Sequence, residues 1–160
     1  MKNPPGKIKL LFLACLFSVF VSGLIHAQTA DMLETLLDNP AINWSEAAVF
    51  VLEASDTAVF GSQTEAFTYA HDRKWLPQKI AQGDSARLSG IALLLMRSFE
   101  IKGGLFYRIG KSPHHAYREL VYKGVIRGDT DPDMIVSGEQ LLMMVSRLLA
   151  AREAAEGGAN

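Results

Sequence analysis

"AYRELVYKGVIRGDTDPDMIVSGEQLLMMVSRLL", residues Ala116–Leu149, reads as a short helix, a turn and a longer capped helix. Its apolar positions Ala116, Leu120, Val125, Ile126, Leu141, Leu142, Val145 and Leu149 recur at helical spacing on either side of a break rich in Gly, Asp and Pro. Gly124 suits the left-handed position that ends a helix. Ser137, followed three residues later by Gln140, forms a capping box for the next one. Just upstream, Ser112 and Pro113 supply an N-cap and a first-turn proline.

Shifting the chain by fifty residues places Ala66 on Ala116, Phe67 on Tyr117, Leu76 on Ile126 and Arg97 on Arg147. Ile91, Leu94 and Leu95 then fall on Leu141, Met144 and Val145, so one helix face is apolar in both copies and the unit is a repeat. Outward from this pair the helical pattern continues. Thr29 or Asp31 starts a helix that Asp38–Pro40 stops. Asn43 caps "WSEAAVFVLEA" from Trp44, with Glu46 reaching back to the same turn. Ser62 and Glu65 repeat that box before a helix through Tyr69 and His71, which Pro77 ends soon after Trp75. Asp84 or Ser85 opens "ARLSGIALLLMRSF", dense enough in apolar residues to be the central helix. "KGGLFYRIGK" is a glycine-bounded connector.

Three long helices thus begin near 43, 86 and 137, and the short helix, connection, aspartate-rich turn and second helix resemble S-layer homology repeats. The segment from Ile42 to Ala54 is similar to that family's helix start, with Glu46 in the acidic place. The resemblance implies a mainly α, compact helical bundle of two to three helix-turn-helix repeats joined by short extended segments. It also implies a non-catalytic envelope module whose helix starts line grooves for cell-wall polysaccharide or peptidoglycan. The residues it puts forward for a glycan or partner are Trp44, Glu46, Ser137 and Gln140. Trp44 offers an indole to stack on a sugar face, and Glu46 a carboxylate to accept sugar hydroxyls. Ser137 with Gln140, and Asn43 with Glu46, equally satisfy free amides at a helix start, at about 1 kcal/mol per cap.

The N-terminus reads as an export signal. Lys2, Lys7 and Lys9 precede the apolar run Leu10–Leu24, and Ala27 offers a small residue for cleavage. That run falls short of the roughly twenty apolar residues a spanning helix needs, which favours a cleaved signal over an anchor. The expected organisation is a signal peptide at 1–27, a helical domain at 28–155 and a flexible tail at 156–160. Localisation is then exported, periplasmic or envelope-associated, with membrane contact only through the signal. Cys15, the one cysteine of the 160 residues, leaves with the signal, so stability rests on packing. The formal net charge of −1 falls by three more when the lysines go, which argues against nucleic acid as partner.

Two other chemistries are written less fully. Asp129, Asp131 and Asp133 stand at positions one, three and five of a twelve-residue window resembling an EF-hand calcium loop. Met134 occupies the place of its glycine, however, and Gln140 that of its closing glutamate. His71 beside Asp72, and His114 and His115 near Ser112, are general-base types with no nucleophile or second carboxylate at a recognisable spacing. The expectation is a binding protein with no cofactor, whose partner is a cell-wall glycan or an envelope protein. The alternatives are a protein-interaction or structural subunit and, behind that, a calcium module.

Overall fold

The structure is a computed structural model that describes residues 33–104, 107 and 110–158. The signal segment, Cys15 and the helix start at Thr29 or Asp31 lie outside the described residues, as do parts of the connector and the last two residues of the tail. The chain divides into two units, residues 1–35 and 36–160. Of the first, only 33–35 are described, and these are helical. All that follows concerns the second.

The second unit is mainly helical. Among its described residues the named helices are α1 (Trp44–Ala54), α2 (Gln63–Asp72), α3 (Leu88–Ser98), α4 (Pro113–Tyr122) and α5 (Gly138–Gly157). Tyr107 and Gly110 are helical as well. None of the described helices is long and apolar enough to cross a membrane. α2 and α4 start fifty residues apart, and so do α3 and α5, the shift that aligned the sequence with itself.

The helix starts obey their local chemistry. At α1, Asn43 Oδ1 accepts the Ser45 and Glu46 amides, and Glu46 Oε2 accepts the Asn43 amide at 2.9 Å. At α5, Ser137 and Gln140 exchange the same pair of bonds at 3.2 and 3.1 Å. Ser112 caps α4 with Pro113 in its first turn. At α2 only half of the expected box forms: Ser62 Oγ accepts the Glu65 amide, but the Glu65 carboxylate takes the Gly61 amide instead of that of Ser62.

The ends of the first four helices follow one rule. In each, the residue after the cap turns left-handed, at Asp56, Lys74, Glu100 and Gly124, with φ of 56°, 57°, 51° and 69°. The next amide then reaches back five residues: Thr57 to Leu52, Trp75 to Ala70, Ile101 to Met96 and Val125 to Leu120. This is the Schellman closure. It ends α2 at Asp72, ahead of the stop expected at Pro77, because the Lys74 reversal satisfies the loose carbonyls first. α5 has no such reversal and continues through Gly157, taking in Glu156 and Gly157 of the expected tail.

The three long helix starts meet at a closed ring of backbone hydrogen bonds. Ile42 donates to Val136, Val136 to Ala86 and Ala86 to Ile42, at 3.0, 3.0 and 2.8 Å, and all three side chains are fully buried. Each ring residue stands two positions ahead of its helix, which gives the centre an approximate threefold arrangement. Isolated bridges pair Asn43 with Ser85 and Arg87 with Ile135. This ring explains why α3 does not start at Asp84 or Ser85. Ser85 pairs across to Asn43, Asp84 Oδ2 accepts the Ala81 amide at 2.7 Å, and the N-cap position falls to Arg87, whose side chain makes no capping bond. The free amides of Leu88 and Ser89 go to the Met134 and Pro132 carbonyls, so backbone from the next repeat caps the helix.

The core is assembled around α3, which buries Leu88, Gly90, Ser98 and every residue from Ile91 to Met96. It packs chiefly on α4, and α1 chiefly on α2. Burying each such aliphatic side chain contributes about 1.5–3 kcal/mol. Two glycines permit close approaches: a Cβ on Gly138 would fall on the Leu36 carbonyl, and one on Gly90 would strike the Trp44 ring and Pro77.

Candidate cleft at the start of helix α3

The ring places the start of α3 beside the loop before it and the Asp131–Asp133 turn of the following repeat. Between them lies an open cleft of ≈ 620 Å³. Trp44, Pro77, Ile80 and Ile135 supply apolar lining, and Lys79, Arg87, Asp84 and Asp133 bring both charge signs to it, with Ser85 and Ser89 among them. Arg87 Nη1 donates to the Asp133 carbonyl at 2.8 Å, which ties α3 to the turn and leaves the other guanidinium N–H groups available. The cleft therefore combines donors, acceptors and apolar carbon in one lining.

The residues read from the sequence are separated by the fold. Trp44 lines the cleft but is only 2% exposed, because its ring seats against Gly90 and Pro77. The free indole face expected for stacking on a sugar is thus largely taken by the protein. The Glu46 carboxylate is engaged at its own helix start by the Asn43 amide and by Asn39 Nδ2 at 3.0 Å. Ser137 caps α5. Gln140 lines a second, smaller groove of ≈ 120 Å³. Arg87, Lys79, Asp84 and Ser89 escaped sequence reading, because charged and hydroxyl residues around a helix start look like solvated capping residues. That Arg87, a long cation, holds the N-cap position where a short side chain is preferred is known only from the structure, since the sequence offers Asp84 or Ser85 for it.

The other marked residues have local roles. Asp129, Asp131 and Asp133 are exposed, and Asp131 Oδ1 accepts the Asp133 amide at 2.7 Å in an Asx turn. Among the described residues no three His, Cys, Asp or Glu groups are placed to hold a metal ion together. Millimolar calcium is accordingly expected to leave the melting temperature within a degree or so, since a ligand stabilises only by preferring the folded state. A calcium-dependent rise that vanishes in the doubly substituted Asp129→Asn, Asp131→Asn chain would restore the calcium loop. His71 stacks on Phe67, and His115 Nδ1 lies 3.0 Å from the Ser112 hydroxyl at the start of α4. Arg147, within α5, donates Nη1 to the Val125 carbonyl beyond α4 at 2.7 Å. Its counterpart Arg97 stands near Tyr107, whose pKa is raised by burial and partly lowered again by that guanidinium.

Comparison with protein-family models, with curated proteins and with solved structures finds no match.

Proposed function

We propose that the chain is an exported, non-catalytic module of the cell envelope that holds a cell-wall saccharide in the cleft at the start of α3. The observation that carries this reading is the juxtaposition of Lys79 and Arg87 with Asp84 and Asp133 over the apolar residues Pro77, Ile80 and Ile135. A sugar ring presents hydroxyls that both donate and accept around its edge and C–H groups on its face. A cleft with both charge signs at the rim and aliphatic carbon below answers both, and hydrogen bonds to charged groups contribute about 1.5–3 kcal/mol each. The resemblance to S-layer homology repeats and the basic, apolar and small-residue succession at the N-terminus support the cellular setting.

Co-sedimentation with purified wall material tests the proposal. The parent chain is expected to pellet with wall and to be released by soluble wall fragments. Lys79→Ala and Arg87→Ala should each weaken retention about ten-fold, the equivalent of 1.4 kcal/mol. Both side chains are exposed, so folding is expected to be preserved. Absence of the parent chain from the pellet, or retention unchanged in both variants, would overturn the reading.

A further inference from the structure

The cleft in front of α3 has a counterpart in front of α5. The fifty-residue shift places Pro77 on Arg127, Ile80 on Thr130, Asp84 on Met134 and Gly90 on Gln140, and these second members line the smaller groove. Leu88 takes there the place of Trp44: the Leu88 amide donates to the Met134 carbonyl as the Trp44 amide donates to that of Asp84. The two related sites have opposite chemistry. Both charge signs line the first, whereas Met134 replaces the carboxylate of Asp84 in the second, and among the described residues lining it none is acidic.

Two cations remain, Arg127 and Arg147. Arg127 Nε donates to the Gly124 carbonyl at 2.8 Å and Arg147 Nη1 to that of Val125 at 2.7 Å. Carbonyls of consecutive residues thus hold two guanidinium groups that both line the groove, each with further N–H donors. The partial charge at the end of α4, about half an electron, is outweighed by two full cations. Leu88, Ile126, Met134, Met143 and Met144 supply the groove's apolar lining, and thioether side chains adapt their shape to an incoming group. Gln140 gives its Oε1 to the Ser137 amide, which leaves its NH₂ free to donate.

We propose that this groove takes the C-terminal residue of a protein partner, with its apolar side chain between the methionines and its free carboxylate on Arg127 and Arg147. The ≈ 120 Å³ volume suits one side chain. Within a protein only the C-terminal residue carries an apolar side chain and a free carboxylate together, which matches a pocket for one side chain lined by two cations. A planar guanidinium fork pairs with a carboxylate in a bidentate manner that an ammonium cannot copy. The net charge of the chain is −1, so the cationic rim is a local feature and not a consequence of a basic protein.

The experiment uses the full chain and fluorescein-labelled hexapeptides ending in leucine, methionine or phenylalanine, each as free acid and as C-terminal amide, read by fluorescence anisotropy. At least one free acid is expected to bind, ten-fold or more tightly than its amide. Arg127→Ala should weaken it about ten-fold, Arg127→Lys less, and Met143→Glu should remove detectable binding by placing a like charge at the pocket. Arg127 is exposed and Met143 is 41% exposed, so both positions are expected to accept substitution with the parent melting curve. Equal affinity for acid and amide, no binding of any of the six peptides, or undiminished binding by Arg127→Ala with the fold intact would each overturn the proposal. None of these outcomes depends on saccharide binding in the first cleft.

Discussion

Leu94→Asp is expected to abolish the cooperative thermal transition of this protein. Leu94 is fully buried in the middle of α3, the helix on which the core is assembled, and its immediate neighbours Leu93 and Leu95 are buried too. Arg97, three residues on, is half-buried with an Nε that has no hydrogen-bond partner, but even a pair formed with it would have to offset the desolvation of both charges. An unpaired carboxylate there either stays charged at large desolvation cost or takes up a proton, and each route costs several kcal/mol. Against a total stability of about 5–15 kcal/mol, that loss is decisive. Val145→Asp, at the position on α5 related to Leu95 and 2% exposed, should behave alike. Circular dichroism melts would check both, and an unchanged transition in both variants would show that these helix faces do not form the core.

Gly138→Ala is expected to destabilise the protein although it improves the intrinsic helix propensity of α5. In an unconstrained helix interior the exchange stabilises by about 1 kcal/mol. Here the added methyl would land on the Leu36 carbonyl oxygen, a backbone group held by accepting the Asn39 amide at 3.2 Å. The Gly138 amide is itself fixed to the Asn39 carbonyl at 2.9 Å, so the helix start cannot slide away without losing that bond. Overpacking of this kind costs about 1–3 kcal/mol, enough to reverse the sign of the propensity term. Gly157→Ala near the end of the same helix meets nothing within 4 Å and serves as the control, with a small gain expected. A urea midpoint for Gly138→Ala equal to or above that of the parent would contradict the close approach.

The helix starts were the most legible part of the sequence. Asn43 with Glu46, Ser112 with Pro113 and Ser137 with Gln140 each place a short polar side chain within reach of amides two or three residues on, and a local interaction leaves a local signature. The helix ends were legible only where glycine marked them. Gly124 announced its left-handed turn, but Asp56, Lys74 and Glu100 adopt the same conformation without such a mark. There the long-range packing of the following residues outweighs a cost of roughly 1–2 kcal/mol per residue. The start of α3 was misplaced for the same reason: Asp84 and Ser85 are good capping residues, yet long-range pairing with Ile42 and Asn43 claims their segment.

The candidate cleft shows a further limit of local reading. Arg87 and Asp133 are forty-six positions apart, and no periodicity relates them, since what joins them is the guanidinium bond from the start of α3 to the next repeat's turn. Trp44 was put forward as a stacking platform because its indole stands beside Glu46 at a helix start, but a residue from another helix, Gly90, leaves the room in which its ring is buried.

By itself the sequence determined that the chain is mainly helical, that two of its units are related by a fifty-residue shift and that long helices begin near 43, 86 and 137, because apolar period and capping chemistry act over a few residues. Only the tertiary structure decided the buried ring of Ile42, Ala86 and Val136, and with it the division into a mixed-charge cleft and a cationic, methionine-floored groove. Both depend on backbone bonds between residues forty-four to ninety-four positions apart, a range over which chain connectivity leaves no pattern to read.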